Sequence, residues 1–297
     1  MNPPDILCIG SVLWDIIGRP EVFLAGRGDV AGRIRRLPGG VAMNIAMTLA
    51  RFGLKPAVLT AIGEDGEGTE LLAAAEKLGV STAYAFRSAR PTDCYMAIED
   101  ETGLVAAIAD AHSLEEAGDA ILAALSDGRL GTPEAPWAGP IALDGNLTAE
   151  LLTQIAASPL FARADLRIAP ASPGKAERLI PVMRHPRATL YVNRQEAGLI
   201  TGTNPATAAE AAAALVAAGA ARALVTDGAH PAADATAGQP VLTRAARPVQ
   251  ARRITGAGDT FMAAHLFAET RGAGPVEALE RAQEAAAAYV AFEDFQP

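Results

Sequence analysis

Short apolar runs alternate with helical segments through the second half of the chain, and this alternation limits the folds open to it. Strands are predicted at 140–144, 166–169, 188–192, 222–226 and 241–244. Helices are predicted at 148–157, 174–183, 206–218, 257–270 and 275–292. Strands that alternate with helices at this spacing form a parallel sheet, because a helix must return the chain to the same edge. The sequence therefore predicts a doubly wound α/β fold, a mostly parallel sheet with helices on both faces.

The first half has a looser pattern with a separate β region. Strands are predicted at 6–9, 57–62, 94–98 and 104–108, the last two as a hairpin with Asp100 and Gly103 in its turn. Helices are predicted at 41–52 and 70–78, each followed by a glycine that suits a helix C-terminus. Residues 12–37 have a mixed composition, which is typical of a small β excursion from the main domain.

The composition excludes several classes of protein. The chain has 297 residues, of which 50% are hydrophobic, so it can bury a full core in one large domain. Its net charge of −9, without a basic block, argues against binding a nucleic acid polymer. No run approaches about 18 apolar residues, and the first residues lack the pattern of a signal peptide. We therefore expect no membrane partner, and we expect the cytoplasm as the compartment. The two cysteines and four scattered histidines predict neither a disulfide framework nor a zinc site.

The strongest chemical signal is the segment Thr255-Gly256-Ala257-Gly258-Asp259, which stands directly before an apolar helix. Glycines let backbone N–H groups approach an anion, and a helix N-terminus adds unpaired donors and a partial positive charge. Asp259 could accept a proton from an attacking hydroxyl. The same residues could also form an ordinary glycine-rich turn, with Asp259 as a helix-start residue. The segment is neither a Walker A loop nor a Gly-x-Gly-x-x-Gly motif, so the residues alone leave both interpretations open.

This segment resembles the C-terminal signature of the ribokinase-like (PfkB) kinases, Asp-Thr-x-Gly-Ala-Gly-Asp. The resemblance implies that Gly256, Ala257 and Gly258 form an anion hole and that Asp259 is the catalytic base. Other features of that family follow in order across nearly the whole chain. They are Gly10 with Asp15, Gly39-Gly40 with Asn44, a turn containing Gly63, Asp65 and Gly68, Asn193 with Glu196, and Thr226-Asp227-Gly228.

The resemblance implies a small-molecule substrate and ATP as partners, with Mg²⁺ as the cofactor of ATP. On the substrate side it places Asp15, Gly39, Gly40 and Asn44. On the ATP and Mg²⁺ side it places Asn193, Glu196, Thr226 and Gly228, with Glu196 acting on Mg²⁺ through water. It also implies a single domain over 1–297, with a small β lid from about 12–37 and 91–112. Lids in this family often pair, so a homodimer through the lid is a further implication.

One residue departs from the family pattern. Arg253 stands where the signature has its first aspartate. That region also helps to shape a monovalent-cation site in some members, so a potassium requirement is in doubt, whereas the base Asp259 is intact. A second class of function stays open for the same reason: a nucleoside-binding sensor with little catalysis. Such a sensor would bind its ligand without producing ADP.

Three short stretches resemble pseudouridine kinases within this family. They are Thr102 to Asp110, Leu143-Asp144-Gly145-Asn146-Leu147, and Pro170-Ala171-Ser172 with Lys175. The resemblance implies that a nucleoside, pseudouridine, is phosphorylated at its 5′-hydroxyl, with Asp144 as a further substrate-side residue. Other sugar or nucleoside kinases, acting on ribose, ketodeoxygluconate, inosine or adenosine, remain alternatives.

Each polar position also has a structural interpretation. Asp144 and Asn146 could form a strand-end turn, and Lys175 could be a solvated lysine. Asn193 and Glu196 could simply begin a helix, with Glu196 serving its dipole. Asp65, between two glycines, is interpreted as a residue that holds a turn and not as a catalytic group.

Overall fold

The protein's structure, a computed structural model, describes residues 3–21, 29–100, 103–293 and 295. Its strands are β1 (Ile6–Ile9), β2 (Leu13–Pro20), β3 (Gly32–Gly39), β4 (Pro56–Leu59), β5 (Ala61–Gly63), β6 (Phe86–Ser88), β7 (Cys94–Asp100), β8 (Gly103–Asp110), β9 (Pro140–Asp144), β10 (Asp165–Ala169), β11 (Ala188–Asn193), β12 (Arg222–Asp227), β13 (His230–Thr236) and β14 (Leu242–Arg244). Its α-helices are α1 (Val41–Arg51), α2 (Gly66–Lys77), α3 (Ser113–Ala117), α4 (Ala149–Ala157), α5 (Ile180–Met183), α6 (Arg194–Thr201), α7 (Ala208–Ala217), α8 (Ala257–Thr270) and α9 (Pro275–Ala291). Three 3₁₀ segments cover Gly118–Leu125, Pro159–Phe161 and Pro173–Leu179.

The main sheet has the strand order β14-β13-β12-β11-β10-β9-β1-β4 among the described residues. The strands from β12 to β4 in this order are parallel, and β13 and β14 are antiparallel to their neighbours. Side chains of β1 alternate between two buried cores, Leu7 and Ile9 on one face and Ile6 and Cys8 on the other. Burial on both faces explains why these strands are continuous apolar runs. The predicted doubly wound α/β fold is confirmed, and the carboxyl ends of its parallel strands share one edge.

A second sheet, with the order β3-β2-β7-β8, comes from the segments predicted to form the small β region. In it β2 and β7 are parallel, and both outer strands are antiparallel to their neighbours. The predicted hairpin at 94–98 and 104–108 is confirmed as β7 and β8. Residues 101–102, which follow β7 in the sequence, and residues 22–28 of the first segment lie outside the described residues.

The structure corrects the sequence prediction in several segments. The helix predicted at 174–183 is a 3₁₀ segment, Pro173–Leu179, followed by the single turn of α5, in which Pro181 has no N–H to continue an α-helical ladder. The strand predicted at 57–62 is divided into β4 and β5. Several elements, among them β6, α3 and β13, were not predicted, and α6 was considered only as an alternative, a helix start at Asn193 and Glu196. The sequence of β13 is rich in alanine and has Thr236 as its single β-branched residue, and α6 follows β11 without a connecting loop.

A buried ionic cluster joins the C-terminal end of α8 to the sheet. Glu269 on α8 accepts hydrogen bonds from Arg167 on β10 and from Arg222 on β12, the latter at 2.6 Å. Arg222 also donates to Asp234, which is 2% exposed, at 2.6 Å. His265 lies one turn earlier on α8 and is fully buried, and burial lowers its pKa to about 3. The ring therefore stays neutral, and the charge of Glu269 is balanced by the two guanidinium groups.

We expect Glu269→Gln to lower the free energy of unfolding by about 3 kcal/mol at pH 7, because it leaves two buried arginines short of a charged partner. Burial acts to raise the pKa of Glu269, but the charges around it, including Arg167 and Arg222, lower that pKa from 4.5 to about 2. A pKa lowered on folding stabilises the protein above the unfolded value, and this contribution is lost as the pH falls toward 2. Urea denaturation at pH 7 and over the range from pH 5 to about 2.5 checks both the size and the pH window.

The matched control is Glu277→Gln, which removes an exposed i,i+4 pair with Arg281 and should change stability far less. Equal stability of the Glu269→Gln variant and the parent at pH 7 would contradict the role of the cluster.

Candidate active site

Asp259 lies in the first turn of α8, directly after the glycine-rich segment. Gly256 precedes this helix with φ of 86°, a left-handed conformation that favours glycine. A Cβ atom on Gly256 would lie 2.5 Å from Tyr289 Oη, so the turn is also packed too tightly for a side chain. Helical hydrogen bonding begins when Thr260 N donates to Gly256 O at 3.0 Å, and the N–H groups before it lack intrahelical acceptors. Ala257 N donates to Ile254 O at 3.0 Å, so the donors that the segment places next to the carboxylate are chiefly the N–H groups of Gly256 and Gly258.

A hydrogen bond joins Asp259 to α1. Asn44 Nδ2 donates to Asp259 Oδ2 at 2.9 Å, across 215 positions of the chain. Burial raises the pKa of Asp259 to about 7, against the effect of the Asn44 hydrogen bond. Three nearby carboxylates also contribute to this rise: Asp144, Asp15 and Glu196. A carboxylate with this pKa is a stronger base than an ordinary aspartate, and it is close to half ionised at neutral pH.

Asp15 and the Gly39-Gly40 pair approach each other closely. Asp15 lies on β2 opposite Leu37 of β3, and a Cβ atom on Gly39 would lie 2.0 Å from Asp15 Oδ2. Glycine at this position therefore lets the chain pass the carboxylate and enter α1, whose second turn carries Asn44. Burial raises the pKa of Asp15 to about 6. The structure thus brings all four substrate-side residues of the predicted loop close to one another.

Asp144 anchors a hydrogen-bond network at the carboxyl edge of the sheet. Its side chain is buried, and its carboxylate accepts from Ser11 N at 2.8 Å, from Ser11 Oγ, and from Asn146 N at 2.7 Å. Ser11 Oγ accepts from Val41 N at 3.0 Å and from Asn146 Nδ2 at 3.1 Å. Lys175 Nζ donates to Asn146 Oδ1 at 2.6 Å. The network runs from the 3₁₀ segment after β10 to the first residue of α1, and protein donors already occupy the carboxylate of Asp144.

The predicted ATP-side residues lie at the carboxyl ends of β11 and β12. Asn193 caps α6: its Oδ1 accepts from Glu196 N at 2.9 Å, and Glu196 Oε2 accepts from Asn193 N at 2.8 Å. This reciprocal pair is a capping box, so both residues do begin a helix. Burial raises the pKa of Glu196. Asn193 is paired in register with Thr226 of the neighbouring strand, and Gly228 follows in the turn with φ of 59°.

The donor groups around Glu196 fit a Mg²⁺ ion that is bound together with a nucleotide. Within residues 3–21, 29–100, 103–293 and 295, no group of three or more His, Cys, Asp or Glu side chains could hold a metal ion. Mg²⁺ usually keeps several waters and is bound through one or two carboxylates and substrate phosphates. The capping box uses one oxygen of Glu196, which leaves one carboxylate oxygen for a hydrated ion.

Sequence reasoning missed two residues of this region and interpreted a third correctly. Ser11 and Tyr289 were not selected; Ser11 belongs to no motif, whereas Tyr289 carries a signal because a large aromatic follows the alanine run 285–288. Asp65 holds a turn, since it accepts from Gly68 N at 2.7 Å and from Thr92 N at 2.8 Å. Burial opposes its ionisation, but these hydrogen bonds lower the pKa of Asp65.

Solved structures with this fold are numerous, and two show its extent. A carbohydrate kinase from Agrobacterium tumefaciens superposes with a TM-score of 0.80 at 25% sequence identity, covering 98% of this chain and 92% of that one. Arabidopsis thaliana ribokinase, solved with ribose and ATP, superposes with a TM-score of 0.78 at 21% identity, covering 97% and 93%.

Curated relatives match over shorter stretches. The uncharacterized sugar kinase YeiI of Escherichia coli is 33% identical over 148 residues, which are 48% of this chain and 39% of that protein. Pseudouridine kinase of Escherichia coli is 33% identical over 99 residues, which are 33% of this chain and 32% of that protein. The alignments therefore span less than half the length of these curated relatives.

Two further findings bear on the class of protein. In the part of the chain that the structure describes, none of the helices has the length and apolar character needed to cross a membrane. The family model described as pfkB family carbohydrate kinase matches residues 3–293, nearly the whole chain. The chain belongs to the pfkB family of carbohydrate kinases.

Proposed function

We propose that the protein transfers a phosphoryl group from ATP to the 5′-hydroxyl of a nucleoside, with pseudouridine as the substrate and pseudouridine 5′-phosphate as the product. The observation that carries the proposal is the position of Asp259. Its carboxylate is the first acid of a helix that follows a glycine-rich turn, and its pKa is raised to about 7. A base and an anion-accepting turn on one helix end are what an attacking hydroxyl and a transferred phosphoryl group require.

The reaction is an in-line displacement. The substrate hydroxyl oxygen bonds to the γ-phosphorus as the bond from that phosphorus to the bridging oxygen breaks, and ADP leaves. The hydroxyl proton passes to Asp259, which Asn44 holds by its hydrogen bond. Backbone N–H groups of Gly256, Ala257 and Gly258 stabilise the charge that develops on the transferred group. Asp259 thus acts as general base, and the turn acts by electrostatic stabilisation.

The ATP side is assigned to the ends of β11 and β12. Asn193 and Glu196 would hold the water shell of Mg²⁺, which when bound neutralises charge on the phosphates. Thr226 and Gly228 lie beside them through the pairing of Asn193 with Thr226. We assign this edge to the nucleotide because parallel α/β sheets bind ligands outside the carboxyl ends of their strands.

The substrate side is assigned to Asp15, Gly39, Gly40 and Asn44, which hold the ribose. Asp144 contributes indirectly: it accepts a hydrogen bond from Ser11 N, and Ser11 Oγ accepts one from Val41 N at the start of α1.

For the base of the nucleoside we assign Asn146 and Lys175. The half-buried ammonium of Lys175 has no carboxylate within 4.0 Å among the described residues, and it donates to Asn146 Oδ1. An ammonium has three donors and an amide oxygen has two lone pairs, so each group can form a further hydrogen bond to a nucleobase. In pseudouridine the sugar is bonded to C5, so the ring nitrogen that carries the sugar in uridine is a free N–H, which lies at the edge where uridine has its C5–H. The free lone pair of Asn146 suits that N–H.

We assign the four-stranded sheet to a lid over the substrate, because β2 carries Asp15 and β3 leads through Gly39 into α1. Ile34 and Ile108 on this sheet are 78% and 71% exposed, and Met96, paired in register with Ile108, is also exposed. Exposed apolar groups of this kind favour contact with another surface. Pairing of two lids in a homodimer and a cytoplasmic location stay predictions.

We expect Asp259→Asn to lower kcat by about 10²–10⁴-fold while the dissociation constants of ATP and nucleoside change little. The asparagine keeps the size of the side chain and the contact with Asn44 but cannot accept the proton.

Because Asp259 must be ionised to act, kcat/KM of the parent should fall as the pH drops below about 7. Direct chromatography of ADP and isothermal titration calorimetry measure the two effects. Asp127→Asn, at an exposed pair with Arg129, is the control. Activity within a few-fold of the parent would refute the assignment of the base.

The neighbours of Asp259 should shift the pH profile in opposite directions. Asn44→Ala removes a hydrogen bond that lowers the pKa of Asp259, so the acid limb should move to higher pH. Asp15→Asn removes a negative charge that raises this pKa, so the limb should move to lower pH. Both changes should also raise KM for the nucleoside by about 10-fold, since Asn44→Ala removes a hydrogen-bonding group and Asp15→Asn replaces a charged acceptor by a neutral one. A rise in KM for ATP alone would show that these residues do not belong to the substrate side.

The substrate assignment predicts that kcat/KM falls in the order pseudouridine, uridine, ribose. A site with a buried acceptor for the additional N–H rejects uridine because that acceptor is left unpaired. Lys175→Met should reduce kcat/KM for pseudouridine more than for ribose, since ribose has no base. Ribose as the best substrate would contradict the choice of nucleoside and leave the phosphoryl transfer intact.

A further inference from the structure

Tyr289 on α9 contacts the glycine-rich turn Thr255–Gly258 through its hydroxyl group. Its hydroxyl donates to Thr255 O at 2.9 Å. The same oxygen is the atom that a Cβ on Gly256 would approach to 2.5 Å. Tyr289 thus fixes the carbonyl at the start of the turn and also packs against its second residue. Because a peptide group is planar, fixing the carbonyl of Thr255 also fixes the direction of the Gly256 N–H.

Arg253 in turn holds Tyr289. Its guanidinium carbon lies 3.5 Å from the centre of the Tyr289 ring and 4.4 Å from that of Phe292. Arg253 Nε donates to Tyr289 O at 2.8 Å, and Arg253 N donates to Val290 O at 3.3 Å. One arginine therefore binds both the ring and the backbone of the residue that supports the turn. Among the described residues, no carboxylate forms an ion pair with Arg253.

This arrangement does not fit a monovalent cation beside the turn. A half-buried guanidinium repels a second cation in its vicinity. It also supplies a positive charge that cannot dissociate, since arginine stays protonated at any working pH. A fixed positive charge is therefore already present two residues before the turn, where Arg253 stacks on Tyr289.

We propose that Arg253 and Tyr289 are positioning residues, which hold the Thr255–Gly258 turn in its anion-accepting conformation without a bound monovalent cation. The inference rests on the proposed phosphoryl transfer, in which this turn stabilises the transferred group. Neither residue touches the reacting atoms; Tyr289 acts through Thr255 and Gly256, and Arg253 acts through Tyr289.

The test uses the full chain with MgATP and pseudouridine, and ADP is measured directly by chromatography. Tyr289→Phe deletes only the hydroxyl and should lower kcat by about 3- to 10-fold, with both KM values within about twofold of the parent. Arg253→Met should lower kcat similarly, and Arg253→Lys should restore part of the loss because it keeps the charge above the ring. The parent should be equally active in potassium, sodium and choline chloride at one ionic strength. Arg271→Met, which removes a comparable stack on Phe267 at the other end of α8, is the control and should leave kcat unchanged.

A second measurement does not depend on turnover. Hydrogen exchange of the amides in 255–258, followed by mass spectrometry, should become faster in Tyr289→Phe and Arg253→Met and stay unchanged in Arg271→Met. If the parent phosphorylates no acceptor, the proposed function fails, and faster exchange still supports the role of the two residues. Unchanged exchange with unchanged kcat would overturn the positioning role. Potassium stimulation of the parent by about tenfold or more would overturn the independence from a cation.

Discussion

The packing of α1 against α8 is the contact on which the candidate site depends. It brings Asn44 to Asp259, and the hydrogen bond between them orients a carboxylate that burial would otherwise favour in its neutral form. Helix α1 begins after the Gly39-Gly40 pair, next to Asp15. Helix α8 begins at the glycine-rich turn, which is in contact with Tyr289. Both helix starts are therefore fixed by contacts that only glycine permits, at Gly39 and Gly256. A change in the crossing angle of these helices would therefore separate Asp259 from Asn44.

Acidic side chains lie near Asp259, whereas backbone N–H groups and the guanidinium of Arg253 lie at the glycine-rich turn. Among the described residues, Asp144, Asp15 and Glu196 form no ion pair with an arginine, and the repulsion from these acids adds to burial in raising the pKa of Asp259 to about 7. A net charge of −9 gives no general attraction for phosphates, so any phosphate group that binds must be held by local donors. Backbone N–H groups at the start of α8 lie next to Asp259, and the guanidinium of Arg253 stacks on Tyr289, whose hydroxyl donates to Thr255 O. Under the proposed phosphoryl transfer, these groups would offset part of the cost of bringing an anionic nucleotide to an acidic edge.

The sequence alone predicted the elements whose residue pattern is decided by a single physical rule. The parallel strands and the long helices α8 and α9 were predicted because apolar patterning decides them, and the glycine-rich turn was found because few other residues fit such a turn. A helix start at Asn193 and Glu196, which is the capping box of α6, was one of two interpretations that the residues allowed, whereas β13 was missed because its alanines and proline carry no strand signal. The contacts of Ser11 and Tyr289 were missed as well. Each depends on a partner more than 30 positions away or on tertiary packing, which one sequence does not encode in a local pattern.

The two ends of helix α8 lie in different electrostatic environments. Its N-terminus carries the positive end of the helix dipole, which favours the ionised form of Asp259 and so limits the rise in its pKa. Its C-terminus carries the negative end, where Glu269 would be destabilised. The two arginines from β10 and β12 reverse that effect and hold the pKa of Glu269 to about 2. The helix is thus pinned at its far end by ion pairs that remain charged at neutral pH, while its near end keeps a carboxylate free to gain and lose a proton. Because the anchored end does not titrate in the same range, a change in the protonation of Asp259 leaves intact the ion pairs that fix the far end of the helix.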